Sequence, residues 1–230
     1  MIKFFHLAHP DSERLMAERN QSRINRRIPC PITTEHEAGF ESVGSFEPDE
    51  FEVKHNRAEE EIIWSWLSGF VVHEKVLEGF NREGFTGYRV NPAKVRFRDG
   101  SISTEYREFI VTGWAGIATP QSGVRLLKSC SACPRKEYSG VTNFEDVIDW
   151  SQWTGEDFFI AWPMATRKLV SNRVAEWLLS RKVKSVRLEK GFAELERQVI
   201  LQKFGFRTGR LSDYLPDDLA IKYGRPLGLE

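Results

Sequence analysis

Val71–Val90 reads VVHEKVLEGFNREGFTGYRV, and Leu169–Leu188, 98 positions later, reads LVSNRVAEWLLSRKVKSVRL. Aligned without a gap, they share Val72/Val170, Val76/Val174, Glu78/Glu176 and Arg89/Arg187, and they keep residue type at Lys75/Arg173, Phe80/Leu178 and Phe85/Val183. Each segment opens on a β-type pair, continues with a helix of about ten residues and closes on a short β run. Ser171 is a suitable N-cap for the second helix, and Gly84 a suitable stop for the first. A repeated helix–strand unit is therefore the expected building block of the chain.

The 230 residues are enough for a large core, as one domain or two small ones. The expectation is a single domain over 1–230, subdivided into an N-terminal region 1–68 and a duplicated core 69–230. With 40% hydrophobic and 29% charged residues, the composition is that of a globular protein. No apolar run approaches the ~20 residues that cross a bilayer. The start, MIKFFHLAHPDSERLM, is broken by His6, His9, Pro10 and Asp11 and does not read as an export signal, so the expected location is the cytoplasm. Three cysteines, an odd number, do not make a disulfide framework.

Outward from the two units, residues 2–7 read as a first strand, and 11–27 as a helix or irregular arm. Pro29, Cys30 and Pro31 mark a turn, and 35–58 reads as loop with short strands. Glu59–Leu67 (EEEIIWSWL) reads as a short helix with acids in its first turn. Lys94–Arg98 and Glu105–Trp114 alternate polar and apolar residues, as strands joined at Asp99-Gly100 do. Asp157–Pro163 reads as a buried strand, Trp150 and Trp153 as core, Phe192–Phe204 as a helix, and the tail after Gly205 as loop. The fold class is α+β (mixed α/β): two repeated helix–strand units flanking a central antiparallel β region.

That region carries the clearest chemical signal. Gly123–Lys128 leads into Cys130-Ser-Ala-Cys133 and Tyr138–Thr142 leaves it, which is how a zinc knuckle is framed: strand, tight turn with two thiols, returning strand. A complete site needs two more ligands. Cys30 is the one remaining cysteine and His36 follows it closely, so Cys30, His36, Cys130 and Cys133 would form a Cys3His structural zinc site. A redox pair would require a helix after Cys133, which the sequence does not offer. Two structural thiols on a metal-free turn are the third alternative. His6, His9, His55 and His73 are scattered, and His73 falls at a helix start. No nucleophile elbow, phosphate loop or zinc-protease motif occurs.

Net charge is zero, with 33 basic and 33 acidic residues, so no global field draws the chain to nucleic acid or membrane. Locally, residues 35–61 hold ten acids against two bases, and 181–190 hold five bases against Glu189. Each run reads as a solvated face or, for the acidic one, as a surface for a basic partner, centred on Glu59, Glu60 and Glu61.

The blocks EYREFIVTGWAG, SGVRLLKSCSAC, KEYSG, DWSQWTGEDFFIAWP and LVSNRVAEWLLSRKVKSVRL together resemble the double-CxxCG family of small bacterial proteins, found as paralogues in myxobacteria. The resemblance spans about residues 28–190 and is best from 105 to 190. Some members are regarded as immunity proteins of toxin–immunity pairs. The resemblance implies a non-enzymatic protein that neutralises a toxin, here a basic one, by occlusion, and it transfers no catalytic residue. The chain departs from the pattern at Thr33, which stands where the first motif has its second cysteine, and at Pro134, which stands where the second motif has glycine. A four-thiolate site is therefore ruled out, and tight metal binding requires His36 or another group in place of the missing thiol. The other readings are an enzyme with a pocket between the repeat units and a nucleic-acid-binding zinc knuckle, which the zero net charge disfavours.

Overall fold

A computed structural model describes the chain except for residues 1–3, 11, 13–14, 21–22, 45–48, 56–59, 66–68, 193–204 and 230. In chain order the strands are β1 (Phe4–Ala8), β2 (Met16–Asn20), β3 (Arg23–Pro29), β4 (Glu37–Gly44), β5 (Asp49–Val53), β6 (Ile62–Ser65), β7 (Phe70–His73), β8 (Tyr88–Arg96), β9 (Ile102–Val111), β10 (Gly113–Ile117), β11 (Leu126–Ser129), β12 (Lys136–Tyr138), β13 (Phe158–Trp162), β14 (Lys168–Ser171), β15 (Arg187–Lys190) and β16 (Phe206–Thr208). The helices are α1 (Glu74–Arg82), α2 (Asn172–Ser180) and α3 (Asp217–Gly224).

The two similar segments fold alike at residue level. β7 and α1 sit 98 positions before β14 and α2, with the same bounds. In each, the strands before and after the helix run parallel and are separated by one antiparallel strand. That strand is β9 between β7 and β8, and β1 between β14 and β15. The agreement extends to five strands. The order β2-β6-β7-β9-β8 has the same sequence of parallel and antiparallel neighbours as β10-β13-β14-β1-β15. The first set is closed into a six-stranded barrel by β5, which pairs with both β2 and β8. The second stays an open five-stranded sheet.

Strand alternation accounts for the core. Phe51, Val53, Ile63, Val71, Ala93, Val95 and Tyr106 fill one cluster among the barrel strands. The neighbours Ile62, Trp64, Phe70, Val72 and Phe109 turn to the opposite face and join a larger cluster with Val76, Leu77 and Phe80 of α1. That same cluster takes Phe158, Ile160, Trp162 and Val170 of the open sheet and Val174 and Leu178 of α2, so one core is shared by both halves. The other face of the open sheet is covered too, by Phe4, Phe159, Ala161, Leu169, Val147 and Ile148. Burial on both faces explains why Phe158–Trp162 is an unbroken apolar run.

Several expectations are corrected. The described residues of 11–27 contribute β2 and β3 rather than a helix, whereas 35–58 contributes β4 and β5 where short strands within loop were expected. The EEEIIWSWL run gives strand β6, because Ile62 and Trp64 face one cluster and Ile63 the other, an alternation that a helix would not satisfy. Within 1–68, β1 lies inside the open sheet while β2, β5 and β6 belong to the barrel. The tail folds as β16 and α3. The proposed helix Phe192–Phe204 falls outside the described residues beyond Phe192, whose side chain is buried.

Candidate metal centre

Two hairpins supply the centre. β3 and β4 pair antiparallel from Arg23↔Gly44 to Pro29↔Glu37, so Cys30 leaves one strand and His36 enters the other. β11 and β12 pair antiparallel from Leu126↔Tyr138 to Ser129↔Lys136, and Cys130 and Cys133 lie in their connecting turn. Each hairpin thus presents two donors at its connecting loop. The turn is held by the Cys130 amide, which donates to the Arg135 carbonyl at 3.0 Å. β12 is anchored to the shared core by Trp162, whose indole Nε1 donates to the Tyr138 hydroxyl at 2.8 Å.

The four side chains converge. Their donor atoms all lie within 4.8 Å of one another. Cys30 Sγ is 3.8 Å from Cys130 Sγ, and His36 Nε2 is 3.1 Å from Cys133 Sγ. A tetrahedral ion with metal–sulfur bonds of about 2.3 Å spans sulfur–sulfur edges of about 3.8 Å, so the spacing has the size of a zinc shell. All three cysteines are free thiols. The Cys130 thiol is pulled down to about 6, first by a backbone hydrogen bond from Ala132 and then by Cys133, His36 and Cys30. Burial pushes the Cys133 thiol up. One thiol of the set is thus poised to ionise near neutrality, as a soft-metal ligand must.

Thr33 lies outside this set. Its hydroxyl accepts the Glu35 amide at 3.1 Å within its own loop, and His36 is the residue that faces the knuckle. The donor set is therefore three sulfurs and one imidazole, which suits zinc. The sequence pointed to these four residues. What it did not signal is the amides of Ala132 and Arg135, which hydrogen-bond the Cys130 and Cys133 sulfurs.

The other anticipated site is described at Glu60 and Glu61. Glu59 lies outside the described residues. Glu61 is half-buried and its carboxylate accepts the Ser185 hydroxyl at 3.1 Å, while its carbonyl accepts the His73 amide at 2.9 Å. Glu60 is half-buried as well, and its carbonyl accepts the Tyr106 hydroxyl at 2.9 Å. Further along the acidic run, Glu37 pairs with Arg27 at 2.8 Å, Asp49 with Arg19, and Glu50 with Arg96 at 2.6 Å. The Arg96 guanidinium holds the Glu50 carboxyl below the usual carboxylate range. Bases distant in sequence thus meet part of the run's charge. The basic run 181–190 ends in β15, where Arg187 pairs with Glu189 at 2.9 Å.

The histidines outside the centre have local partners. His6 Nδ1 is 3.0 Å from Glu189 Oε2, and His73 Nδ1 accepts the Lys75 amide at 3.2 Å as the cap of α1. The seam between the two units, where a pocket was one expectation, is filled at the helices. Trp177 of α2 lies against Gly79 and packs on Phe80 of α1 with ring centroids 5.2 Å apart. No helix among the described residues is long and apolar enough to cross a membrane. No model of a known protein family matches the chain, and no curated protein matches it in sequence.

Proposed function

We propose that the chain is a non-enzymatic protein-binding protein stapled by a structural zinc ion, acting as an immunity protein does, by covering the working surface of a toxic partner. The observation that carries this reading is the convergence of two donors from each of two hairpins about a hundred residues apart. Cys30, His36, Cys130 and Cys133 would hold the ion with all four tetrahedral positions taken by protein. A closed shell of this kind braces a fold, whereas catalytic zinc keeps a position open for water or substrate. Bound zinc would supply cross-linking of the β3–β4 hairpin to the β11–β12 turn.

The resemblance to the double-CxxCG family supports the immunity reading, with His36 taking the role left by Thr33. The matching strand order of the barrel and the open sheet supports descent of the two halves from one duplicated unit. A basic partner would meet the acidic run, in which Glu35 and Glu52 are exposed.

Two measurements test the reading. Metal analysis of the purified protein should find zinc equimolar with the chain, and Cys133→Ser should remove it; zinc retained in full by that variant would refute the assignment. Capture from lysate of the source cells should recover a stoichiometric protein partner. Its association should slow when Glu59, Glu60 and Glu61 are changed together to Gln, and an unaltered association rate would move the interface elsewhere.

A further inference from the structure

We propose that β11 is a docking edge to which a partner protein adds an extended, acidic segment as an extra strand. β11 is the outer strand of the sheet β11-β12-β16, and among the described residues it pairs with β12 alone. All four of its residues are exposed. Leu126 and Leu127 are 52% and 61% exposed beside a register shift of the ladder between Leu126 and Lys128, and Ile32, in the loop that carries Cys30 and His36, is 63% exposed. Edge strands are ordinarily shielded against further pairing, by cover or by charge. β11 carries one such charge, Lys128, and a register shift, yet it leaves Leu126 and Leu127 bare on an edge that pairs on one side only among the described residues.

The edge is also held in shape. Arg125, just before it, is bonded on both main-chain groups: its amide donates to Ser139 Oγ at 2.9 Å and its carbonyl accepts the Ser139 amide at 2.8 Å. A fixed edge loses little entropy when a strand is added, which favours recognition by main-chain pairing with side-chain pockets for alternate residues.

Charge selects the occupant. Arg125 and Lys128 are exposed and form no ion pair among the described residues, and Lys136 lies on the adjacent strand. The nearby Glu137 is already met by Arg207 at 3.5 Å. A second copy added antiparallel about the centre of β11 would set Arg125 of each copy against Lys128 of the other, and like charges opposite one another across a ladder are unfavourable. An extended segment alternating acidic and apolar residues satisfies both the bases and the leucines. This surface is separate from the acidic run discussed above, and the inference requires neither zinc nor the immunity reading.

The test is fluorescence anisotropy on the full chain with a labelled peptide of about ten residues alternating Glu and Val. Saturable binding is expected, weakened about tenfold by Arg125→Glu with Lys128→Glu and about tenfold by N-methylation of alternate peptide amides. Both substitutions are on exposed side chains, and thermal unfolding will show that the fold survives them. Binding of a Lys–Val peptide as tight as the Glu–Val peptide, or indifference to N-methylation, would overturn the proposal. So would the lack of saturation by ~1 mM Glu–Val peptide, or a dimer of the chain that Leu127→Asp dissociates.

Discussion

The barrel half and the open-sheet half of this protein use the same succession of strands and the same helix position, yet place different side chains at matching points. Gly79 in α1 corresponds to Trp177 in α2, and these two residues pack on each other, one as the hole and one as the knob. His73 and Ser171 are the matching N-caps. His73 accepts the Lys75 amide and caps its own helix. Ser171 makes no cap bond: its hydroxyl donates to Asp157 Oδ1 at 2.6 Å, and the other Asp157 oxygen accepts from the Thr86 amide at 3.2 Å and from Arg173 at 3.3 Å. The first cap serves one helix, while the second belongs to a network that ties the open sheet to the turn after α1. A repeated backbone plan thus leaves side chains free to specialise in joining the halves.

The contrast breaks most readily at Asp157, which is 5% exposed. Asp157→Ala strands a buried hydroxyl and a main-chain N–H, so we expect a loss of about 3 kcal/mol in urea unfolding. His73→Ala removes one cap bond and should cost about 1 kcal/mol. Equal losses in the two variants would mean that the caps are equivalent after all.

The Gly79–Trp177 contact sharpens the comparison next. A methyl on Gly79 would overlap the Trp177 ring. Gly79→Ala should therefore cost about 2 kcal/mol through overpacking in a tight contact. In a Trp177→Ala background the same change should become neutral or stabilising by up to about 1 kcal/mol, since alanine suits a helix interior better than glycine. Additive effects in this double-mutant cycle would show that the seam is not a knob-in-hole contact.

The paired segments and the Cys130–Cys133 turn were legible because both are local patterns: helical spacing in one case, thiols on a turn in the other. The strand Phe158–Trp162 was legible from its apolar run. The barrel was not, because its closure depends on β5, whose DEFEV sequence lies within an acidic stretch that reads as loop with short strands of no evident partner. Asp49 and Glu50 are tolerated there because Arg19 and Arg96 arrive from other strands. Ile62–Ser65 misled for a related reason. A strand with both faces buried has no polar alternation, and acids ahead of it imitate a helix start. Glu61 looked like a surface acid because only the fold brings Ser185 to it.

The smallest effect concerns the central strand of the open sheet. His6 lies opposite Glu189, just as Glu108 lies opposite Asn91 in the barrel half. Glu108 also meets Arg19 at 2.7 Å. His6 is 5% exposed, and burial lowers its pKa by more than the Glu189 hydrogen bond raises it, with Arg167 and Arg187 adding to the lowering. The folded state therefore takes up a proton on His6 less readily than the unfolded chain. The contribution is fully present above the ordinary histidine value of about 6.5 and is lost as pH falls through the lower folded value. Unfolding free energies of the wild type and His6→Asn, measured at about pH 7.5 and about pH 5.5, isolate this term, because every other titrating group contributes to both proteins. The wild type should lose more stability than His6→Asn over that interval. Equal losses would show that Glu189 compensates the buried imidazolium fully.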